Sequence, residues 1–225
     1  MPLKLLARSS HPGRRNLNGY RSIVHHLLLL SGSARASLHL CGVTHISIRV
    51  TASADPVDFA RQGELDLAIA YGKSPEAPGV SAEPLGLERI AALAAPHVAS
   101  KYDLTKSTAA KGLVLIESAV SPVRWSDWFA LNGLSSPKGA EQPSFDRGAL
   151  SVSAAAQGLG FALESTRFAE DELKSGELVR ACGDHLRDVR REMHFLCYRT
   201  AQRDLKKIVA FRRWLLAAIE NGAPM

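Results

Sequence analysis

From His45 onward, short apolar runs alternate with stretches of helical period, and this alternation limits the fold more than any other feature. ISIRV (46–50), LDLAIAYG (65–72), LVLIES (113–118), GFALE (160–164) and MHFLCY (193–198) read as strands. Residues 80–95 predict two further strands ending at Pro96, and another is expected near 140–145. Helices are expected over Pro56–Gln62, from about His97, over WSDWFALNG, 149–157, RFAEDELKSG and 203–220. In WSDWFALNG, Trp125, Trp128 and Phe129 fall at i, i+3 and i+4, and Gly133 stops the helix. Strands alternating with helices predict an α/β fold with mainly parallel sheets.

No apolar run approaches the roughly 18 residues of a membrane span, so a membrane partner is not expected. Three cysteines, Cys41, Cys182 and Cys197, are too few and too scattered for a disulfide framework or a cysteine-based zinc site. The net charge of +6 invites a nucleic-acid reading until it is divided along the chain. Residues 1–54 hold seven Lys or Arg and no Asp or Glu; the other 21 basic residues face all 22 acidic ones. The folded-looking part is therefore neutral, and its pI does not make it a DNA binder.

Residues 1–44 form a basic segment of different character, rich in Arg, Ser, Leu and His, without a sustained period. A secretory signal would use Ile23 to Leu30 as its apolar stretch and Ala34-Arg35-Ala36 as its cleavage site, although His25 and His26 interrupt that stretch. A transit peptide shares the acid-poor composition, and the third reading is that the segment was not selected to fold.

Three stretches, VDFARQGELDLAIAYG (57–72), FDRGALSVSAAAQGLGFALESTRFAEDELKSGELV (145–179) and MHFLCYRTAQRDLKKIVAFRRWL (193–215), occur in this order. Together they resemble the effector-binding (substrate-binding) domain of LysR-type transcriptional regulators, and WSDWFALNG resembles the glycine-cleavage-activator-like subgroup. The resemblance covers residues 45–220. It implies a two-lobed, periplasmic-binding-protein-like (type 2) fold, with lobe one at about 45–90 and 193–220 and lobe two at about 91–192. It further implies a small-molecule effector bound between the lobes, no cofactor and no metal, a homodimer or tetramer, a cytoplasmic location and no enzymatic activity. The family contacts DNA through a helix-turn-helix, and none is recognisable in residues 1–44. The first strand and helix of lobe one are likewise unrecognised, so the lobe is expected to be incomplete. The abrupt onset of family sequence points to a shifted reading frame or a misassigned start.

By family position, the candidate effector contacts are Thr51, Ser53, Asp58, Ser118, Phe145, Asp146, Arg147 and Glu164. Thr51 and Ser53 either donate hydroxyl hydrogen bonds to an effector or satisfy backbone groups at the next element. Asp58 either approaches the effector or caps its own first turn. Ser118 follows strand 113–117 and opens a loop of lobe two. Phe145, Asp146 and Arg147 precede the Ala-rich helix, with Asp146 an N-cap candidate and Arg147 either a carboxylate clamp or a solvated cation. Glu164 ends its strand as an amine selector, a partner of Arg147 or a surface charge. A helix N-terminus at the carboxyl end of a sheet would offer its free N–H groups to an anion.

Two rivals stand beside this reading. A secreted solute-binding protein shares the two-lobed architecture and would need a working signal peptide. An enzyme on the same scaffold would have only Asp146 and Glu164 for acid–base work, and no nucleophile elbow or phosphate-binding loop is present.

Overall fold

The computed structural model describes residues 3–8, 48–53, 57–106, 112–181 and 185–222. The expectations attached to residues 9–47, including the Ile23–Leu30 stretch and the alanine pair, lie outside the described residues, as do Cys41, Cys182 and the Pro56 helix start. The chain divides into two compact units, one of residues 1–86 and 192–225 and one of residues 87–191.

The first unit is built on β1 (Leu3–Arg8), β2 (Ile48–Ser53), β3 (Leu67–Tyr71), β4 (Val80–Pro84) and β11 (His194–Arg199), in the order β2-β1-β3-β11-β4. The sequence pattern predicts no strand ahead of residue 46, and here the structure corrects it. Leu3–Arg8 pairs in parallel with β2 and with β3, so lobe one is not short of this strand. LKLLAR lacks the β-branched and aromatic residues that mark a strand locally, so its pairing partners define it. All five residues of β3 and the first five of β11 are buried, which explains their unbroken apolar character. Val57, Phe59, Leu65, Ala68, Ala70, Phe195 and Cys197 close one core cluster.

Residues 57–62 do not form the helix expected from Pro56 to Gln62. Asp58 Oδ1 takes the N–H groups of Ala60 (2.9 Å) and Arg61 (3.1 Å), turning the chain at once. From β11, Arg199 Nη1 donates to Leu65 O (2.7 Å) and Nη2 to Phe59 O (2.6 Å), while its guanidinium lies over the Phe59 ring. Asp58 thus caps a single turn, closed by the Gln62 N–H to Asp58 O bond at 3.0 Å, and Arg199 takes carbonyls in it and just beyond it.

The second unit carries β5 (Leu87–Ala94), β6 (Leu115–Ser118), β7 (Ser144–Phe145), β8 (Phe161–Ser165), β9 (Val179–Arg180) and β10 (Val189–Glu192). Its sheet runs β10-β5-β8-β6-β7, with β9 beside β5. β6 is parallel to β7 and β8, whereas β5 is antiparallel to β8 and β9, and β11 is antiparallel to β3 and β4. Both sheets are therefore mixed rather than mainly parallel. Its helices are α1 (Pro96–Lys101), α2 (Trp125–Leu131), α3 (Gly148–Ala156) and α4 (Glu170–Ser175). Trp128 meets Trp125 and Phe129 edge to face, at 5.7 and 5.2 Å, while Trp125 and Phe129 lie tilted by 35° at 5.8 Å, all three buried. After α3, Gly158 takes φ +84°, and a Cβ on Gly160 would stand 2.4 Å from Val114 O, so both glycines serve the turn and the close strand approach.

In the first unit, α5 (Lys206–Gly222) buries Ile208, Phe211 and Leu215. Leu205, just before it, is 43% exposed, and Lys207 pairs with Asp66 at 2.6 Å. Beside it, Glu83 accepts hydrogen bonds from Tyr198 Oη and Arg212 Nε.

Two outcomes follow. Replacing Arg199 with Met should lower the unfolding free energy by about 2 kcal/mol, the scale for hydrogen bonds to a charged group, as read by urea denaturation. Burial first, and the hydrogen bond to Glu83 second, push the Tyr198 phenol from 10.0 up to about 12. Because the folded value lies above the unfolded one, this contribution is complete below pH 10 and lost between pH 10 and about 12. Denaturation curves across that window should show a loss of stability with rising pH that Tyr198→Phe diminishes.

Candidate functional site

In an open α/β sheet, ligands meet the carboxyl ends of parallel strands. In the second unit those ends belong to β6, β7 and β8; at the first two, Ser118 pairs with Phe145 and the Ala119 N–H donates to Phe145 O at 2.8 Å. Ser118 is 3% exposed, and its Oγ has no hydrogen-bond partner among the described residues. Its carbonyl is tied down by Arg124 Nη1 at 3.0 Å, and the same nitrogen reaches Glu117 Oε2 at 3.2 Å. The strand end is thus fixed while its hydroxyl is left unsatisfied, an arrangement that costs free energy in the empty protein. Ser151, one turn into α3, is also buried with an unpartnered hydroxyl.

Phe145 is half-buried at the end of β7. Asp146 does not cap α3: the N-cap is Arg147, with extended φ and ψ and no side-chain cap bond. Asp146 is instead half-exposed, 3.9 Å from Arg147 Nε. The Arg147 side chain is 11% exposed, so the solvated reading fails for it.

Glu164 departs furthest from its surface reading. It is fully buried, in a strand whose five residues are all buried. The Ser165 N–H donates to Glu164 Oε1 at 3.0 Å. A Cβ built on Gly148, the first residue of α3, would stand 2.8 Å from Glu164 Oε2 and 3.0 Å from Phe168 Cδ2. The carboxyl group therefore packs against Gly148 at the start of α3. Next to it, the Ser165 hydroxyl donates to the buried Glu88 Oε2 at 2.6 Å and accepts the Arg167 N–H at 3.3 Å. Arg167 Nη1 reaches Glu88 Oε1 at 3.3 Å. Glu88, Ser165 and Arg167 were not among the sequence candidates. Alternation along β5 puts Glu88 on the same face as the buried Ile90 and Ala92, and its own burial agrees.

In the first unit, Asp58 caps its own turn and bonds Arg61 at 3.5 Å. Thr51 and Ser53 lie on β2, in register with Leu6 and Arg8 of β1. Among the described residues no group of three His, Cys, Asp or Glu could hold a metal ion, and no helix is long and apolar enough to cross a membrane.

With this geometry in place, comparison with known proteins defines the class. The family model for the LysR substrate binding domain matches residues 38–220, and the chain belongs to that family, whose effector-binding domains have the periplasmic-binding-protein-like type 2 fold. An uncharacterized HTH-type transcriptional regulator of Sinorhizobium fredii is 36% identical over 170 residues, 76% of this chain and 56% of that protein. The glycine cleavage system transcriptional activator of Escherichia coli is 30% identical over 174 residues, 76% of this chain and 55% of that protein. The chain spans little more than half the length of these curated relatives, which are transcriptional regulators rather than solute-binding proteins of transporters. Among solved structures, the effector domain of AmpR from Pseudomonas aeruginosa superposes with a TM-score of 0.74 at 23% identity, covering 98% of this chain and 96% of that one. Full-length LysG of Corynebacterium glutamicum with bound effector Arg gives 0.58 at 15% identity, covering 98% and 69%.

Gly148→Ala should cost roughly 1–3 kcal/mol by forcing its methyl group against the Glu164 carboxyl and Phe168. A thermal melt compared with that of Ala149→Gly, which adds no contact, reads the difference.

Proposed function

We propose that this chain is the sensing part of a LysR-type transcriptional regulator, and that a small-molecule effector bound to it controls transcription through DNA-binding heads supplied by the complete protein. In the second unit, Ser118, Phe145, Asp146 and Arg147 are the proposed contacts. Thr51, Ser53 and Asp58 are proposed for the first unit. Control requires the effector to bind two conformations of the protein with different affinity. The same reading includes self-association and a cytoplasmic location, as befits a regulator that must reach DNA.

The observation that carries the proposal is Ser118. A buried hydroxyl with no partner among the described residues, on a strand end held by Arg124, supplies what a polar ligand group would satisfy. LysG, which shares the fold, holds an amino acid as effector, so the natural first panel is the amino acids.

The test is a thermal-shift screen of the full chain against the twenty amino acids and their amides and amines, followed by calorimetry. At least one compound should raise the melting temperature saturably. Ser118→Ala should leave the ligand-free protein as stable as before or slightly more so, because it removes an unsatisfied polar group. It should also weaken the bound compound by about tenfold, the worth of one lost hydrogen bond to a polar ligand. A variant that loses stability and keeps full affinity would assign Ser118 a structural role instead.

A further inference from the structure

Arg124 stands where the loop after β6 enters α2, and its backbone N–H donates to Asp127 Oδ2 at 2.9 Å. Its guanidinium turns back to the strand end. Nη1 donates to Ser118 O at 3.0 Å and to Glu117 Oε2 at 3.2 Å. A guanidinium carries five N–H groups, two of them on this nitrogen, so these bonds use Nη1 completely. Nε and Nη2 donate to no group among the described residues. Those two nitrogens form the side-on fork that takes both oxygens of a carboxylate in parallel bonds.

Holding a long side chain in one geometry gives up conformational freedom, and a half-exposed ion pair contributes little in return. The Arg124 side chain is 46% exposed, whereas those of Arg147 and Arg167 are packed away at 11% and 20%. Beside it is the Ser118 hydroxyl, buried and without a partner among the described residues. Because Nη1 is bonded to the carbonyl oxygen of Ser118 itself, guanidinium and hydroxyl lie within one residue of each other. Together they offer N–H and O–H donors at the carboxyl ends of β6 and β7, where ligands meet a parallel sheet. The group that matches donors on both sides is one that only accepts. An ionised carboxylate is acceptor-only, whereas a carboxamide would set an N–H group against one arm of the fork.

We propose that Arg124 is an effector-binding residue of the second unit and, with Ser118, selects an effector that carries a carboxylate. Glu117 and the Ser118 carbonyl hold the guanidinium by its third nitrogen and leave the fork for the ligand. This rests on the effector-binding function proposed above and adds the chemical class of the ligand.

The probes are acetate and acetamide, alike in size and different in charge, titrated into the full ¹⁵N-labelled chain with chloride holding the ionic strength constant. The readouts are the Arg124 Nε–Hε signal and the Ser118 backbone amide. Acetate should move both saturably, and acetamide should bind about tenfold more weakly or worse, the scale of a charge-assisted bond it cannot make. Arg124→Lys keeps the charge without the fork and should weaken acetate by about tenfold at the Ser118 amide. Arg124→Gln should abolish saturation there, and the remaining amide signals report whether each variant is folded. The inference is overturned if acetate produces no saturable movement in the native chain or if acetamide matches it. Native acetate affinity in a folded Arg124→Gln or Arg124→Lys variant overturns it as well. If neither variant folds, acetate against acetamide on the native chain decides. The amino-acid screen fails separately: no hit beside a native acetate response rejects the effector reading and keeps the carboxylate site, and hits that bind equally as acid and amide do the reverse.

Discussion

Two carboxyl side chains inside the second unit dominate its architecture. Charge removed from water is costly unless hydrogen bonds and opposite charge surround it. Glu88 and Glu164 flank Ser165, and nearly every polar feature nearby is arranged on their account. Ser165 serves both, through its N–H for one and its hydroxyl for the other. Arg167 adds a cation to Glu88, and Gly148 leaves room for the Glu164 carboxyl group at the start of α3. Register between β5 and β8 follows from this, because a slip of one residue would turn the partnered side chains to the opposite face of the sheet. Breaking such a network on one side leaves an uncompensated group in the interior, so it specifies a single arrangement even where it adds little net stability.

The first unit solves a comparable problem at its periphery. β11 is buried along five residues and ends in Arg199, whose guanidinium gathers carbonyl groups from the turn after Phe59. Asp66 meets Lys207, and Glu83 meets Tyr198 and Arg212. These pairs lie between strands and the final helix, so they tie α5 to the sheet at points that apolar packing by Ile208, Phe211 and Leu215 does not reach. Exposed ion pairs contribute little, but those sheltered by the strands lose less to solvent screening.

Where strands are mostly apolar, the sequence made them legible. β3, β6, β8 and β11 fall on LDLAIAYG, LVLIES, GFALE and MHFLCY because burial favours apolar runs, although β6 and β8 each end in Glu-Ser. β1, β9 and β10 carry Lys, Arg and Glu in short stretches, and only pairing with a distant partner defines them. The same logic separates the site residues. Ser118 could be read because the carboxyl end of a parallel strand is a fixed location in this kind of fold. Glu164 was read as facing ligand or solvent because charge in a linear pattern signals exposure, and nothing local announces a helix terminus waiting beside it. A glycine at the first position of an otherwise ordinary Ala- and Ser-rich helix is the one trace that the contact left in the sequence.

The two serines sharpen the contrast between what this unit satisfies and what it leaves open. Pairing a buried hydroxyl is within reach of this unit: Ser121, three residues beyond Ser118, exchanges hydrogen bonds with Val123 in the ordinary way. Ser118 and Ser151 do not. Alanine at either place would remove the cost of an unmet donor at no loss of packing. A residue that weakens the empty protein is retained where its value appears in another state, and stability conceded at a site is the usual mark of function there. In this unit the concession falls at the carboxyl end of β6 and in the first turns of α3.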